Sequence, residues 1–158
     1  MKETTDELDR KILSVLIENS KTQLKQLSRS FRIHPNTLLQ RLKKLEQAKI
    51  LMKYTAVVDF TKIDKRMQAL MFLDVDMTKS WEDALRPLAK MPEVVSFLLI
   101  TGEHDVLIIA RVKNELHLGN LMRKFQATKV VKKTTTHLIV DTYREPYEYN
   151  PLKEDLKI

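Results

Sequence analysis

The chain has 158 residues, 43% of them hydrophobic, no cysteine and a net charge of +7. That apolar content excludes global disorder; the missing thiols exclude disulfide scaffolds, thiolate metal sites and cysteine nucleophiles; and no apolar run approaches the ~18 residues of a membrane helix. The charge is localised: residues 1–66 hold 15 Lys and Arg against 8 Asp and Glu, an excess of +7, whereas residues 67–158 hold 13 against 13, a distribution that suits a polyanionic partner.

The charged stretch Met1 to Arg10 does not read as a signal peptide. A first helix is predicted from about Asp6 to Glu18. Thr4 and Glu7 have capping-box spacing, and Leu8, Ile12, Val15 and Leu16 form its apolar stripe. Asn19-Ser20-Lys21 reads as a loop, and a second helix follows Thr22, a good N-cap, with Leu24, Leu27 and Phe31 as its stripe. Arg32-Ile33-His34 is a tight connection, in which His34 stands as a poor cap. A third helix starts with Pro35 at its first position, where a missing N–H costs nothing.

Leu38, Leu42 and Leu45 of this third helix face a core, and the opposite side shows Asn36, Thr37, Gln40, Lys43 and Lys44, with Arg41 flanking. Asn and Gln can bond adenine in two places, Arg or Lys can bond guanine, and Lys can neutralise phosphate. A merely solvated helix face would carry more Glu, yet Glu46 is the only acid between Pro35 and Asp59. Two short helices, a tight turn and a basic third helix are the pattern of a helix-turn-helix. Asn36, Thr37, Gln40 and Lys44 are the candidates for base edges or nearby phosphates, and Lys21, Gln23, Lys43 and Lys53 for the phosphate backbone. Arg41 fits either a phosphate or an internal carboxylate. Lys49 to Asp59 turns β-like and predicts a hairpin wing.

The second half alternates. Ala69 to Met77 is a predicted strand with Met71, Leu73 and Val75 on one face. Ser80 and Asp83 open a helix that Pro87 should kink or shorten. Val94–Thr101 and Val106–Val112 form a hairpin around Gly102-Glu103-His104-Asp105, Asn114 caps a second helix, and Thr134–Thr142 is a fourth strand. The order βαββαβ predicts a ferredoxin-like sandwich. The fold class is therefore α+β: a winged helix-turn-helix over residues 1–60, a linker at about 61–67, the sandwich over 68–142 and a tail over 143–158. Strands two and three are apolar on both faces, so something must cover the second face of the sheet. A second copy in a two-fold dimer is the simplest cover; the tail, with Tyr147 and Tyr149, is another.

Leu8-Asp9-Arg10-Lys11-Ile12-Leu13, Thr37-Leu38 with Arg41-Leu42-Lys43-Lys44-Leu45-Glu46, Tyr54-Thr55-Ala56-Val57-Val58-Asp59 and Thr101-Gly102-Glu103-His104-Asp105 together resemble the leucine-responsive and asparagine-operon regulator (Lrp/AsnC) family over roughly residues 6–142. The resemblance implies a cytoplasmic, nucleoid-associated regulator of transcription that places its third helix in the major groove of double-stranded DNA. It implies a homodimer through the C-terminal sheets, assembled further into tetramers or octamers in many members. It also implies an amino-acid-like effector, and no other cofactor, bound between subunits near Thr101, Gly102, Glu103, His104 and Asp105. On chemistry alone that loop is a hairpin turn, with Gly supplying a positive φ and Asp local bonds. The family usually has Gly where this chain has Lys49 and Lys53, so a left-handed Lys49 would cost about 1–2 kcal/mol relative to Gly. His34, His104, His117 and His137 show no metal-ligand spacing, and no nucleophile–base pair, phosphate loop or paired carboxylates suggest catalysis. A nucleoid-type architectural protein without an effector is the alternative.

Overall fold

A computed structural model describes residues 5–63 and 67–153. The chain forms two compact units. Of the described residues, 5–58 and 143–153 make up the first, and 59–63 and 67–142 the second.

In the first unit, α1 spans Glu7–Glu18, α2 Leu24–Ser30 and α3 Pro35–Gln47. Thr4 lies outside the described residues. The capping box is built by Asp6 and Asp9 instead: Asp9 N–H donates to Asp6 Oδ1 (2.8 Å) and Asp6 N–H to Asp9 Oδ2 (3.2 Å), so both orphan amides are satisfied. Thr22 does not cap α2. Its hydroxyl turns back to donate to the Asn19 carbonyl (2.8 Å), and Gln23 takes the N-cap position without a side-chain bond. His34 does cap α3, its Nδ1 accepting from Asn36 N–H at 3.2 Å, because an unprotonated ring nitrogen can serve where a hydroxyl usually does. Ile12, Leu16, Leu27, Leu38 and Leu42 are buried together against Leu8, Val15, Phe31, Ile33 and Leu51. Leu24, read as part of the stripe, is 40% exposed.

The segment expected to form the hairpin of the wing is extended but unpaired: among the described residues, 52–59 contain no strand and are exposed. A strand needs a ladder partner, and this segment finds none within its chain. It is pinned to α3 by the Tyr54 hydroxyl, which donates to Glu46 Oε1 at 3.2 Å.

The second unit opens with a short helix, α4 (Phe60–Ile63), and continues β1 (Met67–Val75), α5 (Trp81–Leu85), β2 (Val94–Leu99), β3 (Val106–Val112), α6 (Glu115–Gln126) and β4 (Val131–Ile139). The strands form one antiparallel sheet in the order β2-β3-β1-β4, the ferredoxin-like arrangement. Pro87 ends α5 early, and a 3-10 turn (Leu88–Lys90) follows, as expected of a residue without an N–H. Ser80 gives α5 no side-chain cap, whereas Asn114 caps α6 through His117 N–H at 2.9 Å. β4 begins at Val131 and stops at Ile139, three residues upstream of the expectation. It is an edge strand, where the exposed Lys132 and Lys133 are strand residues and block further pairing.

One sheet face packs Ala69, Met71, Leu73, Val75, Val106, Ile108, Ala110 and Val112 against Leu85, Leu118, Leu121 and Phe125 from α5 and α6. The pleat sends alternate residues to the opposite face. There the register sets Leu70 beside Ile109, and Phe72 beside Leu107, which in turn lies opposite Leu98. Among the described residues, the helices of the buried core, α5 and α6, pack on the other face.

Candidate nucleic-acid interface

The orientation of helix α3, the expected carrier of the interface, follows from its leucines. Leu38, Leu42 and Leu45 are at most 7% exposed, and burying each stabilises the unit by about 2 kcal/mol. With that side fixed inward, Asn36, Thr37, Gln40, Lys43 and Lys44 are all exposed. Lys21, Gln23 and Lys53, the expected backbone contacts, are exposed as well. Residues 19–45 contain seven Lys and Arg and no Asp or Glu. This acid-free run adds Lys25, Arg29 and Arg32, exposed on or beside α2, to the positively charged set. The sequence reading centred on α3 missed these three, although the run of bases without acids was the signal for them.

Arg41 does not face outward with the others. Its Nη1 donates to Asp6 Oδ2 (2.5 Å) and to Asp9 Oδ1 (2.7 Å). Of the two readings left open for this residue, the structure shows the internal carboxylate pair. The Asp9 side chain is only 4% exposed, that of Arg41 29%. The pair clamps α3 to the first turn of α1, and so fixes the angle at which α3 presents its polar side. The Asp6 carboxyl is held below its ordinary range, first by the Asp9 backbone N–H and then by Arg41.

Basic residues also bracket α3. Arg32 (φ 53°) precedes it and Lys49 (φ 56°) follows it, both in the left-handed region. Each closes a Schellman motif. Ile33 N–H bonds the Ser28 carbonyl (3.0 Å) at the end of α2, and Ile50 N–H bonds the Leu45 carbonyl (2.9 Å) at the end of α3. Glycine is the usual residue there; Lys carries strain of about 1–2 kcal/mol, part of which its charge at a helix C-terminus offsets. Lys49→Gly is therefore expected to raise stability by about 0.5–1 kcal/mol, after the greater unfolded-state freedom of Gly is subtracted. Thermal unfolding measures this, and an unchanged or lower midpoint would show that Lys49 is unstrained.

The loop 101–105 is largely committed to joining its hairpin to β1. Asp105 Oδ2 accepts from Val75 N–H at 2.7 Å, and Asp105 N–H donates to the Leu73 carbonyl at 3.1 Å. His104 Nδ1 lies 2.7 Å from Asp74 Oδ1, with its ring 5.1 Å from that of Phe72. Gly102 has φ 119°, and a Cβ there would meet nothing within 4 Å, so conformation and not space requires glycine. Thr101 and Glu103 are exposed.

Comparisons with known proteins agree with this layout. A family model described as the Lrp/AsnC ligand binding domain matches residues 68–149, and one described as winged helix-turn-helix DNA-binding matches residues 5–51. The HTH-type transcriptional regulator FL11 of Pyrococcus horikoshii is 29% identical, with 97% of this chain and 100% of that protein covered. A transcriptional regulator of Neisseria meningitidis, solved in complex with L-methionine, superposes with TM-score 0.87 at 26% identity, covering 97% of this chain and 100% of its own. Escherichia coli AsnC shares the fold, with TM-score 0.81 at 24% identity over 90% of this chain and 96% of its own. With its sheet domain and its helix-turn-helix both matched, the chain belongs to the Lrp/AsnC family of transcription regulators.

Proposed function

We propose that this chain is a cytoplasmic, nucleoid-associated regulator that reads a specific duplex with the outer face of α3. The observation that carries the reading is the division of α3: three leucines anchor it from behind, while Asn36, Thr37, Gln40, Lys43 and Lys44 stand exposed inside a stretch free of acids. Asn36, Thr37, Gln40 and Lys44 read or flank bases in the major groove, and Lys21, Gln23, Lys43 and Lys53 hold phosphates. The apolar open face of the sheet supports a two-fold dimer, the building block for tetramers or octamers, and a dimer reads two half-sites about one helical turn, or a multiple, apart.

Selection of bound fragments from a random duplex pool tests the reading. The selected site should bind at least about 1,000-fold tighter than random duplex at the same salt. Equal affinity for both would mark a nucleoid-type architectural protein instead. On the selected site Gln40→Ala should cost about 1–3 kcal/mol and flatten base preference at one position. Lys43→Ala should weaken all sites alike and lower the log–log salt slope by about 0.9. An unchanged preference profile for Gln40→Ala would displace α3 from the groove.

An amino-acid-like effector is the natural ligand of the sheet domain, given the methionine complex of the Neisseria regulator. The exposed Thr101, Gly102 and Glu103 are the accessible part of the 101–105 loop; His104 and Asp105 position it. Repeating the selection with a panel of amino acids tests for the effector.

A further inference from the structure

The segment after β4 returns to the first unit and grips α1. Asn150 is the centre of the grip. Its Nδ2 lies 3.1 Å from the Ser14 carbonyl, 3.1 Å from Ser14 Oγ and 3.0 Å from Glu18 Oε1. Its Oδ1 accepts from Leu152 N–H at 3.1 Å, which fixes which end of the amide faces α1. Lys153 Nζ adds an ion pair to Glu18 at 3.4 Å. Ser14 is 1% exposed in the middle of α1, where a buried hydroxyl needs a partner, and Asn150 provides it. Asn150 and Lys153 hold the Glu18 carboxyl below its ordinary range.

Upstream, a 3-10 turn at Pro146–Glu148 sets Tyr147 into the wall of a groove of about 460 Å³, floored by Leu13, Leu16 and Ile17. Lys21 and Lys53, two of the phosphate-contact candidates, line the same groove. Pro146 and Pro151 restrict the backbone on either side of Asn150, which lowers the entropy cost of ordering the segment.

We propose that Tyr143–Lys153 is a strap that completes the DNA-binding unit and sets its affinity for DNA, with Asn150 as its positioning residue. The contacts form a continuous path. The strap holds Ser14 and Glu18 on α1, and α1 holds α3 through Asp6, Asp9 and Arg41. The strap follows β4 directly in the chain. The strap acts by positioning α1 and not by neutralising phosphate. Its loosening therefore lowers affinity without changing the number of counterions released.

The proposal rests on the DNA-binding reading, and the test separates the two. In the full chain, Asn150→Asp sets a carboxylate against the Ser14 carbonyl and Glu18. It should speed hydrogen exchange in the second half of α1 and weaken binding to the selected duplex about tenfold, with the salt slope unchanged. Asn150→Ala, which removes the donor without adding charge, should do the same more mildly. Adding Glu18→Gln to Asn150→Asp supplies a donor from the other side and should restore most of both readouts. Faster exchange with full affinity would make the strap a structural element only and overturn the proposal, as would exchange that does not change. If the unaltered chain binds no duplex, the DNA-binding reading fails and takes the affinity claim with it; the exchange measurement still reports whether Asn150 grips α1.

Discussion

Replacing Arg41 with alanine is expected to destabilise the DNA-binding unit by about 2–4 kcal/mol while leaving the salt slope of DNA binding unchanged. The Asp6 arm of the clamp contributes little, because that carboxylate is 53% exposed and exposed pairs are worth about 1 kcal/mol or less. The Asp9 arm dominates. Its side chain is 4% exposed, and removing the cation strands a buried carboxylate, a change that costs about 3–5 kcal/mol where burial is complete. The partial exposure of Arg41, and its buried Nε without a hydrogen-bond partner, bring the figure below the top of that range. A unit this small has a total stability of about 5 kcal/mol, so the variant lies close to unfolding at ambient temperature. The deficit should narrow in acid. The Asp6 carboxyl has a folded pKa lowered first by the Asp9 backbone N–H, which the variant keeps, and then by Arg41; only the Arg41 share, complete above the ordinary carboxylate range and lost as pH falls through the folded value, narrows the deficit, so the change is small. Urea unfolding at several pH values measures both effects. Wild-type stability combined with a slope lower by about 0.9 would return Arg41 to the phosphate backbone.

Arg41 shows where the sequence is readable and where it stops. Helix α3 is legible because Leu38, Leu42 and Leu45 recur at helical period behind Pro35, and period is a property of the local chain. Whether Arg41 meets a phosphate or a carboxylate depends on where α1 packs, and no spacing within α3 encodes that. The same holds for Asn150, whose partners lie more than a hundred residues upstream. The left-handed Lys49 is legible by comparison, since glycine is usual at that position in the family. The winged helix-turn-helix was legible, but the strands of the wing were not, for a physical reason: Tyr54 to Val58 has β propensity, but propensity forms no strand without a second backbone to pair with. The displacement of β4 has a similar origin. Lys132 and Lys133 look like loop residues until the topology makes β4 an edge, where lysines are favoured. In the 101–105 loop the turn was legible from Gly102, while the bond from Val75 N–H to Asp105 was not, because it crosses to β1.

The second large effect concerns the open face of the sheet. Leu107→Lys is expected to convert the proposed dimer to a monomer at micromolar concentration, a weakening of self-association of at least about 1,000-fold, equivalent to roughly 4 kcal/mol. Leu107 lies opposite Phe72 on β1 and Leu98 on β2, at the middle of the apolar set that also includes Leu70 and Ile109. Leu98 is 46% exposed in the single chain, and a patch of this kind marks an interaction surface. In the monomer a lysine at 107 extends from a solvated sheet face and leaves the core beneath it intact. In a two-fold interface the substitution occurs twice, and each ammonium loses water without gaining a partner, at a cost of several kcal/mol apiece. Leu107→Ala removes the apolar contact without adding charge and should weaken association far less. Sedimentation reads the oligomeric state, and circular dichroism confirms that the fold survives. DNA binding supplies a third readout: a monomer holds one half-site at a time, so affinity for a paired site should fall steeply while affinity for a single half-site stays constant. A Leu107→Lys protein that sediments as wild type and binds paired sites equally well would place the subunit interface elsewhere and leave the apolar face of this sheet without its proposed partner.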